Sequence, residues 1–483
     1  MTNPQSFKVA IVGAGPSGFY AAEELLNYGV QVDMYEKLPV PFGLVRYGVA
    51  PDHQKLKLVN KVFERTAQRD GFQFIGNTEI GANLPLSALQ EHYDAVVLCH
   101  GASQGRKPGI PGDNLSGCYT AADFIGWYNG HPDFQHLAPD LSCRSVAIIG
   151  HGNVSIDVAR ILAKTPAELS TSDITDRALQ ALSHSRIEEI HLIGRRGPAQ
   201  AKFTTQELRE LGELYDADVV IDRGALEIDE VSRAELDDRK NLIAIKNFEI
   251  FTNFNNKTSR SCGRKIIFHF LESPVRVLGE TIVEGLELGV NRLEGQPFHQ
   301  TARAIGERRV LACEAVLFSI GYLGQGLYGI DFDGNSSTYP HNEGKVTTAS
   351  NVYAAGWIKR GPTGIIGTNK PCAQETVATL LRDLEYAQKV PKAGHAAIIR
   401  MITQRATSYA DWRCIDKQEI EEGERRGKPR EKFTSVAEYL ALLSDNCRSI
   451  STEVPRPPLD RRVALDPMAA LSRENKLIGI HED

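Results

Sequence analysis

One stretch near the start of the chain constrains the fold more than any other. From Lys8 it reads KVAIVGAGPSG, a β-branched apolar run that leads into glycines with G-x-G-x-x-G spacing. A helix-forming segment follows, and a second apolar run then ends in Glu36. Gly13 permits a tight turn, Gly15 lets a pyrophosphate approach the backbone, and Gly18 lets the helix pack closely on the strand. The pattern predicts a βαβ unit that binds a dinucleotide, in which Glu36 accepts hydrogen bonds from the adenosine ribose.

A second unit of the same kind begins at Ser145, where SVAIIGHGNVS repeats the strand and the glycine turn. Ser155 takes the place of the third glycine, and a polar helical stretch over about 165–188 is interpreted as an insertion before the next strand. That strand leads into Arg195 and Arg196, where an NAD site would carry an acid. Two guanidinium groups suit a 2′-phosphate, which a carboxylate would repel, so this unit is predicted to bind NADP. The alternative is that the two arginines form a solvated surface pair.

Composition and charge exclude several classes of protein. Of the 483 residues, 42% are hydrophobic and 24% charged, which is ordinary for a globular chain and excludes a disordered or fibrous one. The 55 basic and 61 acidic residues argue against nucleic-acid binding driven by overall charge. No apolar run reaches the roughly 18 to 20 residues of a spanning helix, and no signal pattern precedes the first strand, so we expect a cytoplasmic protein without a membrane span. The eight cysteines form no Cys-x-x-Cys pair, which predicts reduced structural thiols and no metal or iron–sulfur centre.

Three further apolar runs predict how the two dinucleotide units are joined. Residues 94–102 and 315–321 each end in glycine, and residues 351–356 are expected to return to the first unit. The predicted fold is therefore α/β, with two three-layer Rossmann-like domains and an NADP domain inserted into a discontinuous FAD domain. The predicted bounds are 1–105 for the first part of the FAD domain, 106–325 for the NADP domain with its linkers, 326–445 for the second FAD part, and 446–483 for a polar C-terminal tail.

Four segments carry a family resemblance. They are PFGLVRYGVAPDH from Pro41, FIGWYNGHP from Phe124, GRRGP from Gly194 with FTTQELREL from Phe203, and GWIKRGPTGIIGTNK from Gly356. Over roughly residues 7–445 the chain resembles the ferredoxin–NADP⁺ reductases of the adrenodoxin reductase type, which are glutathione-reductase-like flavoproteins. The resemblance implies an NADPH–ferredoxin oxidoreductase, in which NADPH gives a hydride to FAD and the reduced flavin passes single electrons to an iron–sulfur protein. The segment after about Asp445 has no counterpart in that family.

The resemblance, together with the two glycine turns, assigns cofactor contacts residue by residue. The FAD contacts are Gly13, Gly15, Ser17, Gly18, Glu36, Leu44 and Ile80 (through its main chain), with Trp357, Gly364, Ile365 and Ile366 closing over the isoalloxazine. The NADP contacts are Gly152, Asn153, Val154, Arg195, Arg196, Glu207 and Gly364.

His53 and Asp157 are the candidate catalytic residues. The resemblance suggests a hydrogen-bonded pair near the flavin edge, where a histidine could tune the electrostatics or shuttle a proton. The alternative is structural, with His53 capping a turn after Pro51 and Asp157 anchoring the second helix. Hydride transfer to a flavin requires no side-chain acid or base, so positioning is expected to dominate catalysis.

An acidic ferredoxin-like partner would be steered by a basic face on the reductase. Arg209 matches a basic position near the electron-carrier surface of the family. The other candidates are Lys359, Arg360 and the cluster Arg425, Arg426, Lys428, Arg430 and Lys432, for which a solvated loop is the alternative.

Competing functions differ in their cysteine requirements and in their acceptors. A disulfide reductase of the same fold needs a redox cysteine pair, which the sequence lacks. An NADPH-dependent flavoprotein reductase for another acceptor such as a quinone, diaphorase-like or an electron-input subunit, stays open as the alternative. A nucleotide-binding redox sensor is a different class. The oligomeric state is open, although nothing in the sequence demands an assembly.

Overall fold

A computed structural model describes residues 7–256, 260, 262–387 and 390–445. The predicted tail, 446–483, lies outside the described residues. Two largely parallel sheets dominate the structure, and a glycine turn follows one strand in each. The first also has two antiparallel pairings at one edge. In the part of the chain that the structure describes, no helix is long and apolar enough to cross a bilayer.

The first part of the chain forms most of the first sheet. Its strands are β1 (Lys8–Val12), β2 (Gln31–Tyr35), β3 (Phe72–Ile75) and β4 (Ala95–Leu98), and its helices are α1 (Pro16–Asn27), α2 (Leu44–Tyr47), α3 (Gln54–Lys57), α4 (Asn60–Ala67) and α5 (Leu86–His92). β1 pairs in parallel with β2 on one side and with β4 on the other. Helix α1 starts directly after the glycine turn at Pro16, a position where proline's missing N–H costs no helical hydrogen bond.

The middle of the chain forms the second sheet and a small antiparallel one. The strands are β5 (Gln104–Gly105), β6 (Cys118–Thr120), β7 (Ser145–Ile149), β8 (Glu189–Ile193), β9 (Ala217–Ile221), β10 (Arg264–His269), β11 (Glu272–Leu278), β12 (Gly285–Glu294), β13 (Thr301–Leu311), β14 (Ala315–Phe318) and β15 (Tyr322–Leu323). The helices are α6 (Ala121–Tyr128), α7 (Asn153–Ala163), α8 (Pro166–Leu169), α9 (Asp176–Ser183), α10 (Thr205–Leu211), α11 (Glu230–Asp237) and α12 (Leu242–Asn256), with 3₁₀ turns at Pro132–Phe134, Pro198–Gln200 and Arg223–Leu226. The parallel sheet has the order β6-β14-β7-β8-β10-β9, and α8 and α9 occupy the predicted insertion.

The last part of the chain returns to the first sheet. Its strands are β16 (His341–Asn342), β17 (Lys345–Val346) and β18 (Val352–Ala354), followed by α13 (Trp357–Arg360), a 3₁₀ turn at Ile366–Thr368, α14 (Asn369–Tyr386), α15 (His395–Ile398), α16 (Tyr409–Arg425) and α17 (Val436–Asp445). β18 pairs in parallel with β4, which gives the order β16-β17-β18-β4-β1-β2-β3 and confirms the predicted return of residues 351–356.

Each parallel sheet lies between two hydrophobic layers. Val9 and Ile11 of β1 belong to one core cluster, whereas Ala10 of the same strand belongs to another on the opposite face. The second sheet is likewise bounded by two clusters, with Ile148 in one and Ile149 in the other. Strands buried on both faces are continuously apolar, and this is why these runs stand out in the sequence.

The chain crosses between the two sheets at one place. β5 follows the first sheet's β4, β15 follows the second sheet's β14, and these two short strands pair antiparallel through Gln104 to Leu323 and Gly105 to Tyr322. The outgoing and returning segments therefore run side by side, as a domain inserted into another requires. The fold is α/β with two Rossmann-like units, as predicted.

Candidate active site

The first glycine turn shows which of its glycines the fold itself requires. Gly13 has φ of +106°, and a Cβ there would lie 2.7 Å from the carbonyl oxygen of Cys99. A Cβ on Gly18 would collide with the carbonyl oxygen of Gly13. A Cβ on Gly15, in contrast, would meet no protein atom within 4 Å. The protein's own packing explains Gly13 and Gly18, and space for an approaching phosphate explains Gly15, so the turn fits a dinucleotide.

Glu36, at the end of β2, holds the turn through its carboxylate. The backbone N–H of Ala14 donates to it at 2.8 Å and that of Leu38 at 3.1 Å. Burial raises the pKa of Glu36 above its usual value, although these two hydrogen bonds oppose the effect. A carboxylate has more acceptor positions than two bonds use, so Glu36 keeps acceptor positions for the ribose hydroxyls that the sequence pattern assigns to it.

Two other segments pack on the same turn. Gly43, directly before Leu44, has φ of +48°, and a Cβ there would lie 3.1 Å from Cα of Gly15. Gly356, with φ of +77°, allows the end of β18 to lie against Ser17, because a Cβ at that position would collide with the Ser17 hydroxyl. The first turns of α1, α2 and α13, which contain Ser17, Leu44 and Trp357, therefore lie close together beside this glycine turn.

Trp357 and the loop after it form a second wall. The indole Nε1 donates to the carbonyl oxygen of Thr363 at 3.1 Å, and its ring lies 5.6 Å from that of Tyr322. This hydrogen bond fixes the loop that contains Gly364, with φ of +82°, and Ile365, which is 53% exposed. The arrangement suits a planar ring bound beside the indole. Ile80 is buried at 5% exposure and Ile366 is half-buried.

The second glycine turn repeats this division of roles. A Cβ on Gly150, which has φ of +132°, would collide with the Ser319 carbonyl, whereas a Cβ on Gly152 would meet nothing within 4 Å. Ser155 replaces the third glycine without opening the turn, since its hydroxyl donates to the Gly152 carbonyl at 2.6 Å and accepts from the Gly152 N–H at 3.1 Å. This turn therefore also fits a pyrophosphate at the N-terminus of α7.

Asn153 and the two arginines complete this second site. The side-chain oxygen of Asn153 accepts from the Thr204 N–H at 2.8 Å, which ties the start of α10 to the turn, and Val154 is half-buried beside it. Arg195 is exposed and Arg196 half-buried, and among the described residues neither guanidinium forms an ion pair. Their backbone carbonyls are held, by Asn291 and by the Leu271 N–H respectively. The side chains are therefore available for a 2′-phosphate.

His53 has a different partner from the one expected. Its Nε2 lies 2.9 Å from Oε2 of Glu210, whereas its Nδ1 is 3.9 Å from Oδ1 of Asp157, too far for a hydrogen bond. The Glu207 carboxylate is nearer to Nδ1, at 3.5 Å. The expected His53–Asp157 hydrogen bond is thus replaced by a His53–Glu210 bond, because α10 brings its two acids to opposite sides of the imidazole.

The cluster contains groups that titrate near neutrality. Burial, reinforced by the Asp157 charge, raises the pKa of Glu207 to about 7. Burial disfavours the charged form of His53, but the hydrogen bond with Glu210 and the nearby carboxylates outweigh it and raise the pKa of His53 above its usual value. Such groups beside a nucleotide site can hold or release a proton at neutral pH.

Sequence reasoning missed Asp52, Arg160 and Glu210 as members of this cluster. The available signal was the i,i+3 spacing of Asp157 with Arg160 and of Glu207 with Glu210, which places each pair on one helix face. Nothing local in the sequence shows that these two faces meet at His53.

The predicted basic cluster of the C-terminal segment is not a free basic face. Lys428 and Lys432 are 5% and 3% exposed. Lys428 pairs with Asp176 and Glu431, and Lys432 Nζ lies 3.5 Å from Asp173. A buried ammonium needs a counter-charge, so both lysines anchor this segment to the loop between α8 and α9.

The remaining members of that cluster and Lys359 are also paired. Lys359 is 5% exposed and pairs with Glu375, Arg430 pairs with Asp416, and the more exposed Arg425 pairs with Glu422. Arg426 pairs with Asp176 and Glu422, and Arg360 donates to the Thr363 carbonyl. Arg209 is exposed on α10 and has no ion pair among the described residues, so it stays the candidate for the partner surface.

A buried histidine next to the second glycine turn makes stability depend on pH. His151 packs among Phe203, Phe268 and Phe270, and burial lowers its pKa to about 4. Because the unfolded chain binds this proton from about pH 6.5 downward, stability falls as the pH drops from there toward 4. Between pH 7 and pH 4.5, His151 alone should lower the free energy of unfolding by about 2 kcal/mol.

Urea unfolding of wild type and His151→Phe at the two pH values measures this contribution. We expect the variant to lose about 2 kcal/mol less than wild type on acidification. His299→Phe, at an exposed position, is the matched control and should behave as wild type does. Equal pH dependence in wild type and His151→Phe would contradict the assignment.

Comparison with known proteins shows which family, relatives and solved structure this chain is similar to. Residues 7–193 match the pyridine nucleotide-disulphide oxidoreductase family. The NADPH-ferredoxin reductase FprA of Mycobacterium leprae is 42% identical over 451 residues, which cover 90% of this chain and 98% of that protein. The mitochondrial NADPH:adrenodoxin oxidoreductase of Salvelinus fontinalis is 41% identical, with 91% and 92% covered. The solved structure of Mycobacterium tuberculosis FprA in complex with NADPH is similar with a TM-score of 0.86 and 40% identity, covering 90% of this chain and 99% of that one.

Proposed function

The chain belongs to the family of NADPH-dependent ferredoxin and adrenodoxin reductases, and from that membership we propose that it transfers electrons from NADPH through FAD to a ferredoxin-type iron–sulfur protein. One observation of the structure carries the proposal. Two glycine turns each leave the Cβ position of the second glycine open. The strand after the first turn leads into Glu36, whereas the strand after the second leads into Arg195 and Arg196, which form no ion pair among the described residues. That asymmetry suits one flavin dinucleotide and one 2′-phosphorylated nicotinamide dinucleotide.

Side chains of this protein supply binding and orientation for the reaction. The N-terminus of α1 and the Gly15 backbone would bind the pyrophosphate of FAD, and Trp357 and its loop would orient the isoalloxazine. Arg195 and Arg196 select NADPH, and Glu207 contacts its nicotinamide end. Bound FAD supplies the chemistry that couples a two-electron hydride to single-electron steps.

His53 and Asp157 serve this reaction as positioning and electrostatic groups. His53 lies between Glu210 and Glu207, so it can hold a proton close to where negative charge changes during the reaction. Asp157 acts through the residues around it, since it accepts a hydrogen bond from Arg160 rather than from His53. Neither residue needs to donate or accept a proton in the hydride-transfer step.

Cytochrome c reduction by the purified yellow protein with NADPH, with and without a small ferredoxin, tests the function. We expect ferredoxin to accelerate the rate strongly and added salt to suppress that gain, because the partner is acidic. An unchanged rate with ferredoxin would favour the alternative, a reductase for another acceptor such as a quinone. Assay with a soluble quinone then distinguishes that alternative directly.

Arg209 is proposed to contact the iron–sulfur partner. Reversing its charge with Arg209→Glu should raise the apparent KM for ferredoxin about tenfold at low salt, since an attractive rim charge becomes repulsive. Steady-state assays at low and high salt measure the effect, which should shrink as salt screens it. Arg425→Glu, at an exposed position on α16, is the control and should change KM little. A parallel loss in NADPH-dependent flavin reduction would indicate a folding defect instead.

We also propose the predicted domain division, with an FAD domain over 1–105 and 326–445, an NADP domain over 106–325, and a tail over 446–483. The paired crossing strands β5 and β15 support the two inner boundaries. A cytoplasmic enzyme that binds neither nucleic acid nor membrane is proposed as well, and its oligomeric state is open. Light scattering of the purified protein and fractionation of cells test these points.

A further inference from the structure

One buried guanidinium donates hydrogen bonds to three acids of the His53 cluster. Arg160 is 1% exposed. Its Nε and Nη2 donate to the two carboxylate oxygens of Asp52 at 2.8 and 3.1 Å. Nη2 also donates to Asp157 at 2.8 Å, and Nη1 donates to Glu207 at 3.0 Å. A single side chain thus satisfies three carboxylates in a fork geometry that lysine cannot reproduce.

These bonds join the two cofactor units. Asp52 and His53 precede α3 in the first unit, whereas Arg160 lies on α7 and Glu207 on α10 in the second. Arg160 binds one oxygen of Glu207, and the other oxygen faces His53 Nδ1 at 3.5 Å. The guanidinium itself lies 3.5 Å from that same Nδ1. The separation of Glu207 from His53 is therefore set by Arg160.

We propose that Arg160 is a positioning residue for hydride transfer, which holds the Glu207 carboxylate and the His53 imidazole in fixed relation across the junction of the two units. The inference rests on the proposed function, because it assumes that the nicotinamide and the flavin meet beside these two residues. A guanidinium buried among this many partners has lost most of its hydration, and that loss is costly in free energy. If its role were confined to stability, apolar side chains packed at this position would serve more simply.

Arg160 also sets the charge that these groups experience. The Arg160 charge lowers the pKa of His53 and of Glu207, against the burial and carboxylates that raise the pKa of Glu207. Without that charge, both pKa values should rise, and Glu207 should be protonated at neutral pH. The other carboxylates that face the pair are Asp157 and Glu210, and both raise the pKa of His53 and of Glu207. Asp52 pairs with Arg160 and Lys164 instead. Tyr128 lies near Asp157, whose charge adds to burial in raising the pKa of Tyr128.

Lys164, the residue directly after the same helix, provides a matched control. Its ammonium pairs with Asp52 Oδ2 at 2.8 Å, the same oxygen that Arg160 Nε contacts, and no ion pair with Glu207 or His53 is formed. Lys164→Met therefore weakens the hold on Asp52 alone. Arg160→Met removes the hold on Asp52, Asp157 and Glu207 together, and Arg160→Lys keeps the charge but loses the fork.

The four proteins are compared by stopped-flow reduction of bound flavin by NADPH across about pH 6 to 9. We expect Arg160→Met to lower the rate at pH 7 by at least about tenfold and to move the pH profile upward by about one unit. Arg160→Lys should recover the position of the pH profile but only part of the rate. Lys164→Met should stay within about twofold of wild type throughout.

An activity-free readout accompanies the kinetics. NMR of histidine-labelled protein follows the His53 imidazole, whose pKa should rise in Arg160→Met and stay unchanged in Lys164→Met. Titration with 2′,5′-ADP, which carries the 2′-phosphate but no nicotinamide, should give one affinity for all four proteins and shows that the NADP unit is folded. If Arg160→Met does not fold, the rate deficit of Arg160→Lys decides.

Three outcomes overturn the proposal. They are a wild-type rate and pH profile in Arg160→Met, a wild-type rate in Arg160→Lys when Arg160→Met does not fold, and the same deficit in Lys164→Met as in the Arg160 variants. The last would show that holding Asp52 is all that matters. Flavin reduction involves no iron–sulfur protein, so the result is independent of whether ferredoxin is the acceptor. Failure of the ferredoxin assay and failure of this test are therefore distinguishable.

Discussion

Replacing Arg195 and Arg196 together with glutamine is expected to lower the ratio of kcat/KM for NADPH to that for NADH by at least about two powers of ten. Each charge-assisted hydrogen bond to a phosphate contributes roughly 1.5 to 3 kcal/mol, and about 1.4 kcal/mol corresponds to one power of ten. The structure makes this estimate applicable, because no described carboxylate pairs with either guanidinium. Their full interaction is available to the nucleotide rather than shared within the protein.

Steady-state kinetics with both nucleotides and an artificial acceptor such as ferricyanide measure this ratio without any iron–sulfur partner. The loss should appear in the KM for NADPH, since the 2′-phosphate lies far from the reacting carbon and is bound equally in the ground and transition states. Arg308→Gln, an exposed arginine of β13 that pairs with Glu287, serves as control and should leave the ratio unchanged. A ratio that barely moves in the double variant would place the 2′-phosphate elsewhere.

Gly152→Val is expected to weaken NADP⁺ binding by at least about a hundredfold while the holoprotein stays folded. Gly152 has φ of −134° and ψ of 173°, an extended conformation that valine adopts readily. Its Cβ would meet no protein atom within 4 Å, so the valine side chain should not disturb the fold. The same Cβ and its methyl groups would occupy the space through which a pyrophosphate approaches the N-terminus of α7.

Titration with NADP⁺, the thermal midpoint and the bound flavin content test this separation of folding from binding. The flavin content and midpoint should stay near wild type in Gly152→Val. Gly150→Ala is the contrasting variant: with φ of +132° and a collision with Ser319, it should lower the thermal midpoint strongly. Normal NADP⁺ affinity in Gly152→Val would mean that no phosphate passes this turn.

Several particular elements could be predicted from the sequence because their requirements are local. The strand–turn–helix at Gly13 and Gly150 needs a backbone that only glycine provides, so the residues themselves reveal the turn. The return of residues 351–356 to the first sheet followed from an apolar run, and its pairing with β4 confirms it. The insertion at 165–188 was likewise predicted, from a polar helical stretch of the sequence, and it contains α8 and α9.

Other features could not be predicted because their partners are far apart in the chain. His53 was expected to bond with Asp157 and bonds instead with Glu210, 157 positions away. Lys428 and Lys432 look like solvated charges in the sequence, yet both are buried against acids of the insertion. Whether a lysine is buried depends on the segments that pack over it, and the residues around it in the sequence do not show which segments these are.

The sequence by itself therefore determined the two glycine turns and the class of fold, and it predicted that Arg195 and Arg196 bind a 2′-phosphate. The steric demands of each glycine turn are local, and the strand–turn–helix–strand order of each βαβ unit can be followed along the sequence. Only the tertiary structure decided which acids surround His53 and that Arg160 joins them. Hydrogen bonds of a buried guanidinium have geometric requirements that three separate segments meet only when both sheets are in place, so the chemistry at that junction is a property of the folded molecule.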